Sequence, residues 1–98
     1  MGKRINFIWD EIKAESNLLK HGISFEEAKT AFYDPSARIL YDPDHSKPED
    51  RILLLGKSNS LRMIIVCHLY REHGKTIRLI SARKATKTER KQYQNFDL

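Results

Sequence analysis

Between Asp10 and Pro35 the hydrophobic and polar positions of this chain follow helical spacing, and from Arg38 to about residue 82 they follow strand-like spacing. A short apolar stretch at 5–9 predicts a first strand. Asp10 can cap a helix at its N-terminus, and Gly22, which follows two basic residues, can end it. The sequence therefore predicts a first helix between Asp10 and Gly22.

A capping box predicts the second helix. Ser24 is followed three positions later by Glu27, so we expect the serine oxygen to accept from the Glu27 amide. In the same motif the Glu27 carboxylate reaches back to the backbone of Ser24. Asp34-Pro35 ends this helix, because a residue before proline disfavours helical backbone.

The second part of the chain is typical of a sheet. Four strands are expected, at 38–41, 51–57, 61–71 and 75–82. A second capping box, Thr86-Lys87-Thr88-Glu89, predicts a final helix that begins near residue 87. The expected fold class is α+β in the order β-α-α-β-β-β-β-α, with a mostly antiparallel sheet and the two early helices on one face. We expect residues 1–98 to form one domain.

The turn chemistry of the last hairpin predicts its register. The three residues Glu72-His73-Gly74 suit a type I turn with a G1 bulge and a left-handed Gly74. This register places His68 opposite Arg78 on a polar face. A two-residue turn would separate them, because a shift by one residue moves a side chain to the other face. The apolar face then carries Leu69 opposite Ile77, Cys67 opposite Leu79 and Ile65 opposite Ser81.

Charge is distributed unevenly. Residues 1–50 hold seven Lys and Arg against ten Asp and Glu, a balance of −3, whereas residues 51–98 hold eleven against three, a balance of +8. Such an asymmetry favours a polyanionic or acidic partner. No run approaches the ~20 apolar residues of a membrane helix, so we expect a cytoplasmic protein without membrane contact. The single cysteine, Cys67, excludes a disulfide framework and a Cys-based zinc site.

A histidine opposite an arginine suits RNA cleavage without a metal ion. That reaction needs a base for the 2′-hydroxyl, positive charge on the transition state and an acid for the leaving oxygen. His68 and Arg78 could supply these, although a histidine on a strand is more often an ordinary half-exposed residue. His45, in the acidic connection 42–50, is either an exposed loop residue or a second acid or base.

A metal site at Asp42, Asp44 and His45 is a weaker alternative, because their spacing matches no metal. We expect no metal and no cofactor. A basic stretch runs from Arg71 to Lys91 with eight positive residues against two acids, which is suited to contacts with phosphates.

Several segments resemble the BrnT family of type II toxins, and together they span residues 5–94. The N-terminal ones are Phe7-Ile8-Trp9-Asp10, Asn17-Leu18-Leu19-Lys20-His21-Gly22-Ile23-Ser24-Phe25-Glu26-Glu27-Ala28 and Phe32-Tyr33-Asp34-Pro35. The C-terminal ones are Asp42-Pro43-Asp44-His45-Ser46 before Arg51, Gly56 in the third strand, and Arg78-Leu79-Ile80-Ser81-Ala82-Arg83-Lys84-Ala85-Thr86 before Glu89-Arg90 and Tyr93. The Lys-His-Gly and Ile-Ser-Ala-Arg-Lys-Ala-Thr segments make the resemblance specific.

The resemblance implies a RelE-like fold and an endoribonuclease that inhibits translation by cutting RNA. It also implies a BrnA-type antitoxin, a ribbon-helix-helix protein through which the complex binds operator DNA and represses its own operon. The candidate catalytic residues are His45, His68, Arg78 and Arg83. The candidate RNA contacts are Arg51, Lys84, Lys87, Arg90 and Lys91.

Two other classes of function fit the charge. One is a nucleic-acid-binding module without catalysis, for which the basic C-terminal half would suffice. The other is an interaction protein whose basic face meets an acidic partner. Cleavage of RNA by the purified chain separates the toxin from the first, and salt-dependent RNA binding separates the first from the second.

Overall fold

The computed structural model describes residues 5–40 and 51–95 and contains the predicted elements in the predicted order. The strands are β1 (Asn6–Ile8), β2 (Arg38–Leu40), β3 (Ile52–Lys57), β4 (Met63–Arg71) and β5 (Thr76–Lys84). The helices are α1 (Glu11–His21), α2 (Phe25–Thr30), which continues into a 3₁₀ turn at Ala31–Tyr33, and α3 (Lys87–Asn95). The α+β class is confirmed.

The five strands form one mixed sheet in the order β1-β5-β4-β3-β2. β1 runs parallel to β5, and every other neighbouring pair is antiparallel. α1 and α2 both contact β5 and cover one face, as predicted. Their apolar side chains build the main core with that face, which consists of Ile23, Phe25, Ala28, Ala31, Leu54, Ile64, Val66, Ile77, Leu79 and Ala82. In the described ranges no helix is long and apolar enough to cross a membrane.

The predicted ends of α1 are confirmed. The Asp10 carboxylate accepts from the Ile12 amide at 2.8 Å, which satisfies an N–H that has no partner within the helix. Gly22 has a φ of 72°, and its N–H donates to the Leu18 carbonyl at 2.8 Å. Glycine adopts this left-handed backbone without a steric penalty, so the chain can turn at once into α2.

The two capping boxes differ in outcome. At α3 the box closes in both directions: the Glu89 amide donates to Thr86 Oγ1 at 3.1 Å, and the Thr86 amide donates to Glu89 Oε1 at 2.8 Å. At α2 only the Ser24 half forms, with the Glu27 amide donating to Ser24 Oγ at 3.0 Å. The other half of that prediction is wrong.

The Glu27 carboxylate instead binds Arg62, the residue that directly precedes β4. Both Nε and Nη2 of Arg62 donate to it, and Ser58 Oγ donates at 2.7 Å. A charged, two-pronged donor binds a carboxylate more strongly than a backbone amide does. These hydrogen bonds from Arg62 hold the pKa of Glu27 below its ordinary value. The contact fastens α2 to the turn between β3 and β4.

The predicted register of the last hairpin is wrong. The turn contains four residues, from Glu72 to Lys75, and the strands pair Arg71 with Thr76 and His68 with Leu79. Glu72 and His73 both have positive φ, in addition to Gly74, whose left-handed backbone was predicted. A shift by one residue exchanges the faces of a strand, so His68 points into the core.

A β-bulge shifts the register a second time. Pairing moves from His68 with Leu79 to Cys67 with Ser81, so Ile80 is the extra residue in β5. The bulge lets Leu79 and Ala82 both face the core, where both are buried. It also returns Ser81 to the face opposite the helices.

Candidate functional site

The sheet face that α1 and α2 leave uncovered carries the candidate site. Ile64, Val66 and His68 are buried on the helical side, so Cys67 and Leu69 point to the other side. α3 covers one end of this second face, where Tyr93 packs on a small cluster of Leu55, Ile65 and Ala85. We call the uncovered remainder the open face, which carries Arg51, Leu53, Cys67, Leu69, Arg78 and Ser81.

Two arginines lie on the open face. Arg78 is paired with Leu69 across β4 and β5, and Arg51 directly precedes β3, where its charge acts on Cys67. Neither arginine forms a hydrogen bond or ion pair with another residue of 5–40 or 51–95. Guanidinium groups without a carboxylate partner are suited to binding phosphate, since their fork of N–H donors matches two phosphate oxygens.

Cys67 and Ser81 are opposite neighbours beside the arginines. Burial raises the pKa of the Cys67 thiol, although the charge of Arg51 and a hydrogen bond with Ser81 act in the other direction. The thiol therefore remains protonated near neutral pH and is a poor nucleophile. In chemical terms this part of the site offers a hydroxyl and a neutral thiol as hydrogen-bond donors.

Arg83 differs from the two open-face arginines because its charge is balanced. Its Nη1 and Nη2 donate to the two carboxylate oxygens of Glu89, each at 2.9 Å. This pair lowers the pKa of Glu89 to about 2. Tyr93 makes a second anchor, with its hydroxyl donating to Asp34 Oδ2 at 2.8 Å. Arg83 and Tyr93 thus fix α3 to the sheet at the border of the open face.

The remaining basic candidates lie at this border. They are exposed and form no ion pair with any residue in the described part of the chain. Three of them carry positive charge along α3, whereas the fourth, at the end of β5, pairs with Ile64, whose side chain is buried on the helical side. They are Lys84 at the end of β5 and Lys87, Arg90 and Lys91 on α3.

Asn17, buried in α1, supports the strand that carries the site. Its side-chain amide donates to the Ala82 carbonyl at 2.9 Å, and its Oδ1 accepts from the Ala82 amide at 3.0 Å. β1 pairs only with residues 76–78 of β5, so Asn17 supplies the hydrogen bonds of a missing strand further along. The same amide donates to the Ile23 carbonyl at 2.9 Å. Ala82 lies between Ser81 and Arg83, so these hydrogen bonds from Asn17 fix the backbone position of both neighbouring residues.

None of the three histidines among the described residues lies on the open face. The His68 side chain is completely buried, with its ring packed against Phe32 at 4.8 Å and Tyr70 at 5.2 Å. Burial holds its pKa below the ordinary value, so it is neutral in the folded protein. Its predicted position beside Arg78 is therefore wrong. His45, like Asp42 and Asp44, lies outside the described residues, and its role stays a prediction.

Sequence reasoning missed Cys67, Ser81 and Asn17 as parts of the site. Cys67 and Ser81 become neighbours only through the β-bulge in β5, which no sequence pattern predicted. Asn17 left a signal, because a polar residue stands on the buried side of α1 with Ala14 and His21. The described ranges contain no group of three or more His, Cys, Asp or Glu side chains that could hold a metal ion.

Comparison with known proteins identifies a family and a similar fold. The family model for the ribonuclease toxin BrnT of type II toxin–antitoxin systems matches residues 9–89. The fold is similar to the crystal structure of the Brucella abortus ribonuclease toxin BrnT, with a TM-score of 0.65 and 27% sequence identity. That alignment covers 86% of this chain and 100% of the Brucella chain. No curated protein matches the sequence.

Proposed function

The chain belongs to the BrnT family of ribonuclease toxins of type II toxin–antitoxin systems, and from this premise we propose that it cuts RNA on the open face without a metal ion. The observation that supports the proposal most directly is the pair of arginines on the open face, Arg51 and Arg78, neither of which has a carboxylate partner among residues 5–40 and 51–95. The flank from Lys84 to Lys91 adds contacts with the RNA backbone.

In this proposal the two arginines hold the scissile phosphate and stabilise the charge that grows on it during attack by the 2′-hydroxyl. Ser81 and the protonated Cys67 thiol donate to the same group. Arg83 keeps α3 beside the site, with Glu89 fixing its guanidinium.

Proton transfer needs a group that titrates near neutral pH. Within the described ranges His21 lies at the end of α1, His68 in the core and His73 in the hairpin turn, all away from the open face. We assign to His45 the removal of the 2′-hydroxyl proton, and the leaving 5′-oxygen takes its proton from water. The described residues that flank the segment containing His45 are Leu40, which pairs with the open-face Leu53, and Arg51, which is itself on the open face.

The same proposal extends to the partners. The proposed substrate is RNA, and the proposed location of the reaction is the cytoplasm. An antitoxin of the BrnA type, with a ribbon-helix-helix domain, neutralises the toxin and carries the complex to its operator DNA. The family supports the antitoxin, and the exposed basic surface supports RNA as the substrate.

The experiment is cleavage of a defined single-stranded RNA by the purified chain in excess EDTA, with analysis of the product ends. We expect cleavage to persist and to leave 2′,3′-cyclic phosphate or 3′-phosphate ends. Cleavage that strictly requires a divalent ion would contradict the metal-free chemistry and direct attention to the acidic segment 42–50. A folded chain that binds RNA but never cuts it would favour the non-catalytic binding module.

A further inference from the structure

A groove lies between α1 and α2, and the proposed chemistry does not use it. Its floor is apolar and consists of Trp9, Leu18 and Phe25, with the Trp9 and Phe25 rings packed edge to face at 5.8 Å. Its rim is acidic, with Glu11 and Glu15 on α1 and Glu26 on α2. The groove has a volume of about 230 Å³, which is large enough for one or two side chains of a partner but small for a whole ligand.

The rim carboxylates are largely available. Glu26 is paired with Lys29 at 3.0 Å and remains 70% exposed, whereas Glu11 and Glu15 form no ion pair with any residue in the described part of the chain. The surrounding helical layer, residues 10–34, holds six acids against three lysines and no arginine. Glu27 is bound by Arg62, so the acidic character beside the apolar floor comes from the rim carboxylates.

α1 also exposes large apolar side chains next to the groove. Leu18, on the floor, is 49% exposed, and Leu19 and Ile12 are 89% and 78% exposed. Ile12 and Leu19 are seven residues apart and so lie on the same side of the helix, next to Glu15. Three such side chains in one eleven-residue helix form a patch of the kind that marks a protein-binding surface.

We propose that this groove and the adjoining face of α1 bind a basic amphipathic segment of the antitoxin, at a site separate from the open face. The segment would place aliphatic side chains against Leu18, Leu19 and Ile12 and lysines or arginines against Glu11 and Glu15. This proposal rests on the family's antitoxin partnership, and it does not require the open face to be catalytic.

The charges argue against the other occupants. RNA is repelled, because its phosphates would meet the acidic rim. A second copy docked groove to groove around a twofold axis would bring Glu11 and Glu15 against their own counterparts, and like charges across an interface disfavour it. A basic amphipathic segment satisfies the apolar floor and the rim together.

The test uses the cognate antitoxin, produced with this chain, and measures its affinity for toxin variants by calorimetric titration. The double substitution Leu18→Glu and Leu19→Glu places charge on the apolar surface, and Glu11→Lys with Glu15→Lys reverses the rim. Leu61→Glu is the matched control, because Leu61 is 79% exposed in the turn between β3 and β4. We expect each double variant to bind at least about tenfold more weakly, a loss of about 1.4 kcal/mol, and the control to bind like the wild type.

Two further readouts separate the outcomes. In cells that also express antitoxin, the groove variants should inhibit growth while the wild type and Leu61→Glu do not, and each purified variant should keep the wild-type melting temperature. Antitoxin affinity within twofold of wild type in both double variants would overturn the proposal. So would a wild-type dimer that Leu18→Glu with Leu19→Glu converts to monomer, since the groove would then belong to a second copy. If the wild type cuts no RNA, the proposed function fails, but the titration still decides the groove.

Discussion

The two sides of the sheet differ in charge, in covering and in the partner that each can accept. The helical side is closed over the core and carries the acidic α1–α2 layer, whereas the open face carries Arg51 and Arg78 and continues into the basic flank of α3. A small chain can thus present a surface for a polyanion and another for a protein without one interfering with the other. The sequence-wide balance of +5 hides this separation.

Asn17 connects the two sides, and its removal should have the largest effect on stability. Asn17→Leu leaves the amide and carbonyl of Ala82 buried without partners, so we expect a loss of about 2–4 kcal/mol in the free energy of unfolding. Urea denaturation followed by Trp9 fluorescence measures it. Ser16→Ala, at the exposed neighbouring position, is the control and should change stability by less than about 0.5 kcal/mol. Equal losses of unfolding free energy in the two variants would show that the hydrogen bonds between Asn17 and Ala82 do not stabilise the fold.

The Arg83–Glu89 pair should stabilise the border of the open face in a pH-dependent way. The folded pKa of Glu89, about 2, lies below its ordinary value of 4.5. The unfolded chain therefore binds the proton first, so the stabilisation is complete above pH 4.5 and is lost as the pH falls from there towards 2. We expect Glu89→Gln to cost about 1–2 kcal/mol at pH 7, after allowance for solvent screening of the partly exposed pair.

Unfolding measurements of Glu89→Gln across pH 2 to 6 give this contribution as the difference from wild type. The difference should shrink as the pH falls from 4.5. Glu15→Gln, on the exposed rim of α1, serves as the comparison and should leave the profile almost unchanged. A difference for Glu89→Gln that stays constant across that range would contradict the assignment of the low pKa to this pair.

His68 should make the helical side sensitive to mild acid. Its pKa is lowered in the folded protein by burial, so the unfolded state takes up the proton more readily. Stability is then complete above the unfolded pKa of about 6.5 and falls as the pH drops below it. We expect the free energy of unfolding to be lower at pH 5.5 than at pH 7.5 by at most about 1.4 kcal/mol, and we expect this loss to be absent in His68→Phe, measured by urea denaturation at the two pH values. If His68→Phe loses as much stability between the two pH values as the wild type does, the acid sensitivity does not come from His68.

The basic flank should contribute least, through salt-dependent contacts. Lys87→Ala with Lys91→Ala is expected to weaken single-stranded RNA binding only several-fold and to reduce the salt slope of log K by about 1.4. Fluorescence anisotropy between low and moderate salt measures both quantities. Lys13→Ala with Lys20→Ala removes the same charge from α1 and should leave RNA binding unaltered. Equal effects of the two pairs would contradict the separation of charge.

The element order could be predicted from the sequence because its determinants are local. Asp10, Gly22 and Thr86 define helix ends through bonds to residues a few positions away. The register of β4 and β5 could not be predicted, because every residue from Met63 to Cys67 is apolar. Without an alternation of apolar and polar residues, the sequence does not indicate which face of the strand is buried. The left-handed Glu72 and His73 and the bulge at Ile80 then shifted the pairing twice.

The site was predictable only in part for the same reason. Net charge and residue type identified Arg78 and Arg51, and the structure brings both to one uncovered face. His68 was misplaced as soon as the register moved by one residue, and Cys67 with Ser81 went unnoticed. Glu27 shows the limit of local motifs, since a distant Arg62 outcompeted the backbone of Ser24 for its carboxylate.

Single-turnover cleavage of RNA by Arg78→Ala tests the central claim most directly, with Lys20→Ala on the helical side as the matched loss of one charge. If the open face holds the scissile phosphate, Arg78→Ala should lower the cleavage rate about 10²–10³-fold while thermal stability is retained, and Lys20→Ala should cleave at the wild-type rate. Equal rates for wild type and Arg78→Ala at saturating enzyme would contradict the assignment of the open face as the catalytic surface.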